Sequence, residues 1–441
     1  MTTTLSVGRR HWPVRRLRFL ARLNPSRAEA RLLPPDADVS FVPMEAVVEG
    51  GGLTAAEVRP LESVYSGYTF FRDGDVVVAK ITPCFENGKG ALASGLVNGV
   101  AFGTTELHVL RPGGALDARF LFYVTMSPPF RDAGTAAMTG AAGQKRVPED
   151  FLLDYELSLP PLDDQQAIAD FLDRKTATID ALIAKKERLI ELIEEKRQAA
   201  ITRAVTQGLD PDVPMKDSGV EWLGKVPAGW PIVPIRRLFK IANGSTPRST
   251  EPTFWDGPIT WVTPNDLGRL SSREVRFSER TLTEAGYRSC GTSLVPAGSL
   301  VLSTRAPIGH AGIAAVSLCT NQGCRSLVPT RPADSRYFHY ILTAGRRALQ
   351  ALGQGSTFRE LGSDDLASFH VPAPPLADQS SLADFLDDTT AEFEALNAKQ
   401  RELIEKLREY RQTLISAAVT GQIEVRSSAG WAEPVLEEAL A

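Results

Sequence analysis

The sequence predicts an α+β protein built of two globular domains, each followed by a long helix, with the two helices pairing as an antiparallel coiled coil. Three observations carry this. At an offset of 214 the chain repeats itself, so that Leu159-Pro160-Pro161-Leu162-Asp163-Asp164-Gln165 returns as Ala373-Pro374-Pro375-Leu376-Ala377-Asp378-Gln379. Each copy opens a stretch whose apolar residues recur every 3.5 positions over about four heptads, the period of a coiled coil rather than of an isolated surface helix. Both globular segments also begin alike, with Trp12-Pro13-Val14-Arg15-Arg16-Leu17 in one and Trp230-Pro231 followed by Ile235-Arg236-Arg237-Leu238 in the other.

In chain order, residues 1–158 form the first domain, 159–210 the first helix, 211–372 a linker and the second domain, 373–424 the second helix, and 425–441 an acidic, mobile tail. Asp75 to Ile81 and Ser299 to Thr304 are apolar runs bounded by Gly74 and Gly298 before them and Pro83 and Pro307 after them, as strands should be. Phe120 to Val124 and Tyr337 to Ile341 read as helices. Stepping by four and then three from Ile168 gives a seam through Leu172, Lys175, Ile179, Leu182, Lys186, Leu189, Ile193, Lys196 and Ala200. The same steps from Leu382 give Leu386, Thr389, Phe393, Leu396, Gln400, Leu403, Leu407, Tyr410 and Leu414. Polar interruptions fall at equivalent places, Lys175 with Thr389 and Lys186 with Gln400, and such residues fix register at a cost in stability. Asp210 to Pro227, rich in Pro and Gly, doubles the chain back.

With 441 residues, 43% hydrophobic and 23% charged, the composition is that of an ordinary globular protein. The net charge of -4 divides unevenly: 0 over residues 1–158, -2 over 159–210, +5 over 211–372 and -7 over 373–441. Acidity therefore lies in the helices and tail, and any nucleic-acid contact is local and needs a second protein to supply clamp strength. No stretch approaches 18 consecutive apolar residues, so no membrane span and a cytoplasmic protein are expected. The four cysteines lack a CxxC pair and the five histidines lack HExxH, so neither a disulfide framework nor a zinc site is expected.

Catalytic motifs are missing. Ser127-Pro128-Pro129-Phe130 looks like the base-holding motif of amino-methyltransferases, but no Gly-rich loop after a strand stands ready for a methyl donor, and a turn at a helix end explains the prolines as well. Gly140-Ala141-Ala142-Gly143-Gln144-Lys145 has the wrong spacing for a phosphate loop, and Arg146 stands where Ser or Thr should meet magnesium. Asp163 and Asp164 sit at a helix start, where acidic residues favour the dipole.

Recognition chemistry is better represented. Lys80, Thr82, Glu86, Asn87 and Lys89 leave a strand into a loop of the residue types that read base edges in the major groove. In the second domain Ser245, Thr246, Asn265, Thr304, Arg305, Asn321 and Gln322 lie in loops that resemble those presenting Asn, Gln and Arg for bidentate contacts; if Arg305 makes such a contact to guanine, its loss relaxes one position of the site. Before each Pro-Pro-Leu comes another polar turn, with Lys145 and Arg146 in the first copy and Ser356, Thr357 and Arg359 in the second. Lys145 and Arg359 correspond at the offset of 214 and suit phosphate anchoring.

Taken together, the duplicated plan, the Lys80 to Gly90, Thr320 to Gly323 and Gly355 to Arg359 runs, both Pro-Pro-Leu-x-x-Gln helix starts and the Gly208 to Gly224 linker resemble the specificity subunit of type I restriction-modification systems. That resemblance implies a subunit without an active site or cofactor of its own, in which two target recognition domains read the halves of a bipartite, asymmetric sequence in double-stranded DNA. It implies helices that hold the domains apart and dock two methyltransferase subunits, with endonuclease-translocase subunits completing the complex. S-adenosylmethionine, ATP and magnesium would bind those partners. Independently, about 41 helical residues span roughly 60 Å, an upper limit of about 18 base pairs, while two readers on one face of DNA sit about one turn, near 34 Å, apart. Two other readings are a single-chain enzyme with fused recognition domains and a coiled-coil adaptor that binds only proteins; the first lacks a donor-binding loop, and the second leaves the Asn, Gln and Arg loops without a role.

Overall fold

A computed structural model describes residues 12–54, 57–141, 143–305, 307–355 and 359–425. The architecture is α+β. Two long helices, Leu162–Gln207 and Leu376–Val419, accompany two globular bodies. The chain divides into two compact units, Met1–Glu187 with Gln400–Ala441 and Arg188–Lys399. The dividing lines fall inside the long helices, so each unit holds one globular body and half of each helix.

In the first unit the valine run after Gly74 forms strand Val76–Ala79, buried at every position. It pairs antiparallel with Gly90–Leu92 and with Leu107–Pro112, and Ala21–Leu23 closes that sheet. A second sheet orders Glu57–Pro60, Asp38–Val42, Val100–Gly103 and Thr69–Arg72, its central pair parallel. Successive strand residues point to opposite faces. Val76 and Val78 therefore pack in the core shared with the helices, while Val77 and Ala79 pack in a separate core behind. A strand covered on both faces has no polar face to show, which is why it reads as a continuous apolar run.

The second unit repeats this design. Strand Leu300–Ser303 lies between Cys324–Pro329 and Ala311–Ala314 in a five-stranded sheet, with Leu300 and Leu302 in the core shared with the helices and Val301 in the core behind. Its three-stranded sheet again contains one parallel pair, Trp255–Val262 with Leu318–Thr320. Each body closes on a short antiparallel pair, Val14–Arg16 with Glu156–Ser158 and Ile232–Pro234 with His370–Pro372. The helices at Ala118–Met126 and Ser335–Ala344 fall where the aromatic-rich runs predict them. The Asp210 to Pro227 segment contains a small hairpin, Met215–Asp217 with Lys225–Pro227.

Each long helix starts directly after its Pro-Pro pair, with acidic residues in the first turn, where they favour the dipole. The first ends at Gly208, whose φ of 77° and N–H to Ala204 O bond of 3.1 Å form a left-handed cap that few other residues adopt cheaply. Within the first unit the two half-helices run antiparallel, as the pairing of Asp180 with Arg411 at 3.0 Å and of Glu187 with Arg408 at 3.2 Å requires. In the second unit Ile201, Ala204 and Val205 share a core with Leu382, Ala383 and Leu386.

The burial pattern corrects the seam in one respect. Ile168, Leu172, Ile179, Leu182, Ile193, Leu382, Leu386, Gln400, Leu403, Leu407 and Leu414 are buried as expected, but Thr176, Thr390 and Asn397 are buried in place of Lys175, Thr389 and Leu396, and Tyr410 is only half-buried. At those three places the buried residue comes one position later than four-three stepping gives, and Leu189 and Leu396 are left 38% and 42% exposed. A period of 3.5 fixes the mean step but not its order. The apolar neighbours Leu182, Ile183, Leu189 and Ile190 permit either order, and the remaining partner surface decides.

Each body is joined to its helices by the same polar set. Gln165 is fully buried; its Oε1 accepts from Asp117 N at 2.8 Å while its Nε2 donates to Ala115 O and Pro160 O at 3.0 and 2.9 Å. Gln379 accepts from Asp334 N at 3.0 Å and donates to Pro374 O at 2.8 Å. Tyr123 donates to Asp173 at 2.7 Å and Arg119 to Asp170 at 2.6 Å; the counterparts Tyr340 and Arg336 donate to Asp387 at 2.8 Å and Asp384 at 2.7 Å. In the second unit Arg273 also grips Asp387, at 2.8 Å through NH2. Burial raises the Asp387 carboxyl, but the bonds from Arg273, Tyr340 and Arg336 outweigh it and the group titrates below the usual carboxylate range.

Where the first body has Phe122 on this helix, the second has His339. Burial pushes the His339 imidazole down to about 4, with Arg273 and Arg197 adding to the effect and Asp387 opposing it. Since the unfolded imidazole takes up its proton near pH 6.5, the unfolded chain is protonated first as pH falls. Stability is then present above that value and lost towards pH 4, by about 3 kcal/mol at most. His339→Phe is expected to flatten this part of the profile, measured as the difference in urea midpoints between pH 7 and pH 4.5 for variant and parent.

Candidate nucleic-acid interface

The Lys80 loop of the first unit is rigidly built. Its chain turns through Phe85 N to Ile81 O, Asn87 N to Pro83 O and Lys89 N to Cys84 O, at 2.9 to 3.0 Å. Phe85 is fully buried. Beneath it Arg131 donates to Phe85 O at 2.9 Å and lies 4.8 Å over the Phe85 ring. A strap that includes Thr139 and residues 145–147 is bonded to this loop. Thr82 N and Oγ1 donate to Lys145 O at 3.0 and 3.2 Å, and Arg146 forms isolated bridges to both Ile81 and Thr139. Lys80, Thr82, Lys145 and Arg146 are thus brought together.

Not all of the loop's polar groups stay free. Arg146 makes a two-bond ion pair with Glu106, at 2.9 and 2.8 Å, and that bond, ahead of the opposing burial, holds the Glu106 carboxyl below its ordinary range. Lys89 turns inward to donate to Met44 O at 3.1 Å, and the Asn87 amide donates to Glu49 at 2.8 Å. Glu86 and Lys145 are exposed.

In the second unit the loops holding Ser245, Thr246, Asn321 and Gln322 converge. Ser245 N donates to Thr320 O at 2.9 Å, the Trp261 indole donates to Ser245 O at 3.0 Å, and Thr246 Oγ1 bonds the Gln322 amide. Gly244 is required by this approach, because a Cβ there would lie 1.9 Å from Asn321 O. Asn321 Oδ1 is used by Gly323 N at 3.0 Å, leaving Gln322 exposed at the turn. Asn265 is exposed on the Pro264–Gly268 helix, whose Pro264 abuts Gly323.

Two expectations need correction. Thr304 is fully buried, donating to Gly323 O at 3.3 Å, so it supports the loop and offers nothing to a base. Arg305 is exposed but engaged, pairing through Nε with Glu360 at 3.0 Å, so a guanine contact would have to displace that carboxylate. Arg359 is exposed beside it, while Ser356 and Thr357 lie outside the described residues. Glu360 bridges Arg305 and Gln354 just as Arg146 bridges Ile81 and Thr139. The two units therefore share one strap geometry with unlike side chains.

Sequence reasoning missed Arg325. Only 13% exposed, its side chain donates to Ser363 Oγ at 3.0 Å and Gln322 O at 2.9 Å and lies 3.6 Å from Glu360, tying three loops together. Nothing local in the sequence marks it; its role shows only once its strand is paired opposite Asn243. Phe277, 83% exposed, was missed too; its neighbours Ser278 and Glu279 bond Trp261 and Asp266 of this same region. Among the described residues no group of three His, Cys, Asp or Glu could hold a metal ion, and no helix is long and apolar enough to cross a membrane.

The family model of the type I restriction modification DNA specificity domain matches residues 64–192 and 227–406, well over half the chain. The chain is 33% identical over 190 residues to the type I restriction enzyme MjaIX specificity subunit of Methanocaldococcus jannaschii, covering 42% of this chain and 43% of that relative. It is 40% identical over 159 residues to the EcoAI specificity subunit of Escherichia coli, covering 36% and 26%. These alignments span less than half the length of either relative. In fold it is similar to a chain of a type I R-M system assembly, with a TM-score of 0.75 at 19% identity over 94% of this chain and 98% of that one.

Proposed function

Since the chain belongs to the type I restriction modification DNA specificity family, we propose that it is the non-catalytic subunit that chooses the DNA sequence for a type I restriction-modification complex. In this reading residues 1–158 and 211–372 are target recognition domains, each reading half of a bipartite, asymmetric site in double-stranded DNA. Residues 159–210 and 373–424 pair along their length as a coiled coil, set the spacing of the halves and dock two methyltransferase subunits; the mobile acidic tail expected over 425–441 lies, beyond Val425, outside the described residues. Endonuclease-translocase subunits complete the assembly in the cytoplasm, and S-adenosylmethionine, ATP and magnesium bind the partners.

The observation that supports this best is the duplicated strap, which presents Ile81, Thr139 and Arg146 in one unit and Arg305, Gln354 and Glu360 in the other. One scaffold with two different sets of side chains is what an asymmetric target needs. Methylome sequencing of cells with and without the protein tests it. Loss of one bipartite methylated motif is expected; an unchanged methylome, or methylation by the purified chain alone, refutes it.

Within this reading Arg305→Ala should cost roughly 1 to 3 kcal/mol of DNA affinity and relax one position of the site. Glu360→Gln, which frees the guanidinium, should tighten the same site. Titration of duplexes varied at each position checks both; a uniform loss across sequences would make Arg305 a phosphate contact instead.

A further inference from the structure

The repeats differ at one place that neither the joint nor the recognition loops require. In the first unit Arg411 pairs with Asp180 and donates through NH2 to the Gly50 carbonyl at 3.1 Å. The glycine turn bearing that carbonyl lies on Phe122, so closely that a Cβ on Gly51 would come within 2.6 Å of the ring. At the offset of 214 along the helices Arg411 and Asp180 correspond to Arg197 and Glu394, and on the body's helix Phe122 corresponds to His339. Among the described residues no glycine turn is bonded to Arg197 here. The matching segment, Leu270 to Ser272, lines an open cleft of about 560 Å³ whose walls also include Arg197, His339, Thr343 and Glu394.

The cleft therefore keeps the fittings that hold a glycine turn in the first unit without the turn itself. Arg197 is bonded to Glu194 of its own helix, at 2.7 Å, and has no backbone carbonyl in the place of Gly50 O. His339 Nδ1 is buried without a hydrogen-bond partner, an atom that Phe122 lacks. The lining charges balance, Arg197, Arg273 and Arg346 against Glu274, Asp387 and Glu394. A neutral cleft suits a peptide and is poor for a polyanion.

We infer that this cleft receives a glycine-bearing turn of a second polypeptide, with a main-chain carbonyl towards Arg197 and the turn's flat face on His339. The expected bearer is the methyltransferase subunit, which rests on the proposed function. The test is the alkylation rate of Thr343→Cys by N-ethylmaleimide, read at that site by mass spectrometry in the full chain. The four conditions are the chain alone, the complex with the methyltransferase subunit, the chain with target duplex, and the chain with a peptide of residues 46–54.

The methyltransferase should slow labelling about tenfold, as for a site roughly nine-tenths occupied, and the duplex alone should not. Unchanged labelling in a complex that size-exclusion shows to have formed overturns the inference and leaves the proposed function standing. Protection by duplex alone also overturns it. If no complex forms, the proposed function fails and the peptide decides: protection supports a turn-binding cleft and unchanged labelling sinks it.

Discussion

Removing residues 190–196 and 395–401 together is expected to shorten the unspecified spacer of the DNA site by about three base pairs, because seven helical residues rise about 10 Å. Both half-sequences should stay as they were. The antiparallel ion pairing sets which segments correspond: Asp180 meets Arg411 in one unit, and the equivalent Arg197 lies in the field of Glu394 in the other. A deletion centred between those pairs removes facing residues. Taking a whole heptad keeps the phase of the buried positions, so the cores around Leu172 and Leu386 are untouched. On the original site one reader would lose its half-sequence. Since each mismatched pair costs about 1 to 3 kcal/mol, affinity should fall at least about a hundredfold. Deleting from one helix alone would set every facing pair out of step and is expected to unfold the rods. Methylome sequencing reads the spacer directly, and a spacer unchanged by the double deletion would mean that something other than the helices sets it.

How far such features can be read in the chain depends on the range of the interaction. The repeat, the strands at Val76 and Leu300 and the Pro-Pro helix starts are legible because breakers and apolar runs act locally. The order of steps in the seam is not, since Leu189 and Ile190 would both serve and the choice rests on residues some 200 positions away. The recognition loops are legible as composition, but composition is silent on what each side chain already holds. Glu106 is 40 residues from Arg146 and Glu360 is 55 from Arg305. Nothing near Lys89 or Thr304 announces that Met44 O and Gly323 O will claim them. Gln165 and Gln379 stand out in the repeat, yet their task appears only when Asp117 and Asp334 are folded against them.

That task makes Gln165→Ala the most damaging single change expected. It strands Asp117 N, Ala115 O and Pro160 O in a fully buried joint. Each orphaned buried group costs about 1 to 3 kcal/mol, so with the loss of packing a total of roughly 3 to 5 kcal/mol is expected. Gln379→Ala orphans Asp334 N and Pro374 O and should cost less, about 2 to 4 kcal/mol. Gln165→Glu separates hydrogen bonding from volume. It keeps the acceptor for Asp117 N but turns an anionic oxygen towards two carbonyls, so the carboxyl is held above its ordinary range when folded. The folded state then binds the proton more tightly, and the variant should gain stability as pH falls and lose it as pH rises through the raised value. A Glu variant as stable at pH 7 as at pH 4.5, or Ala variants within about 0.5 kcal/mol of the parent, would mean that apolar packing around Leu172 and Leu386 holds the bodies to the helices without the glutamines.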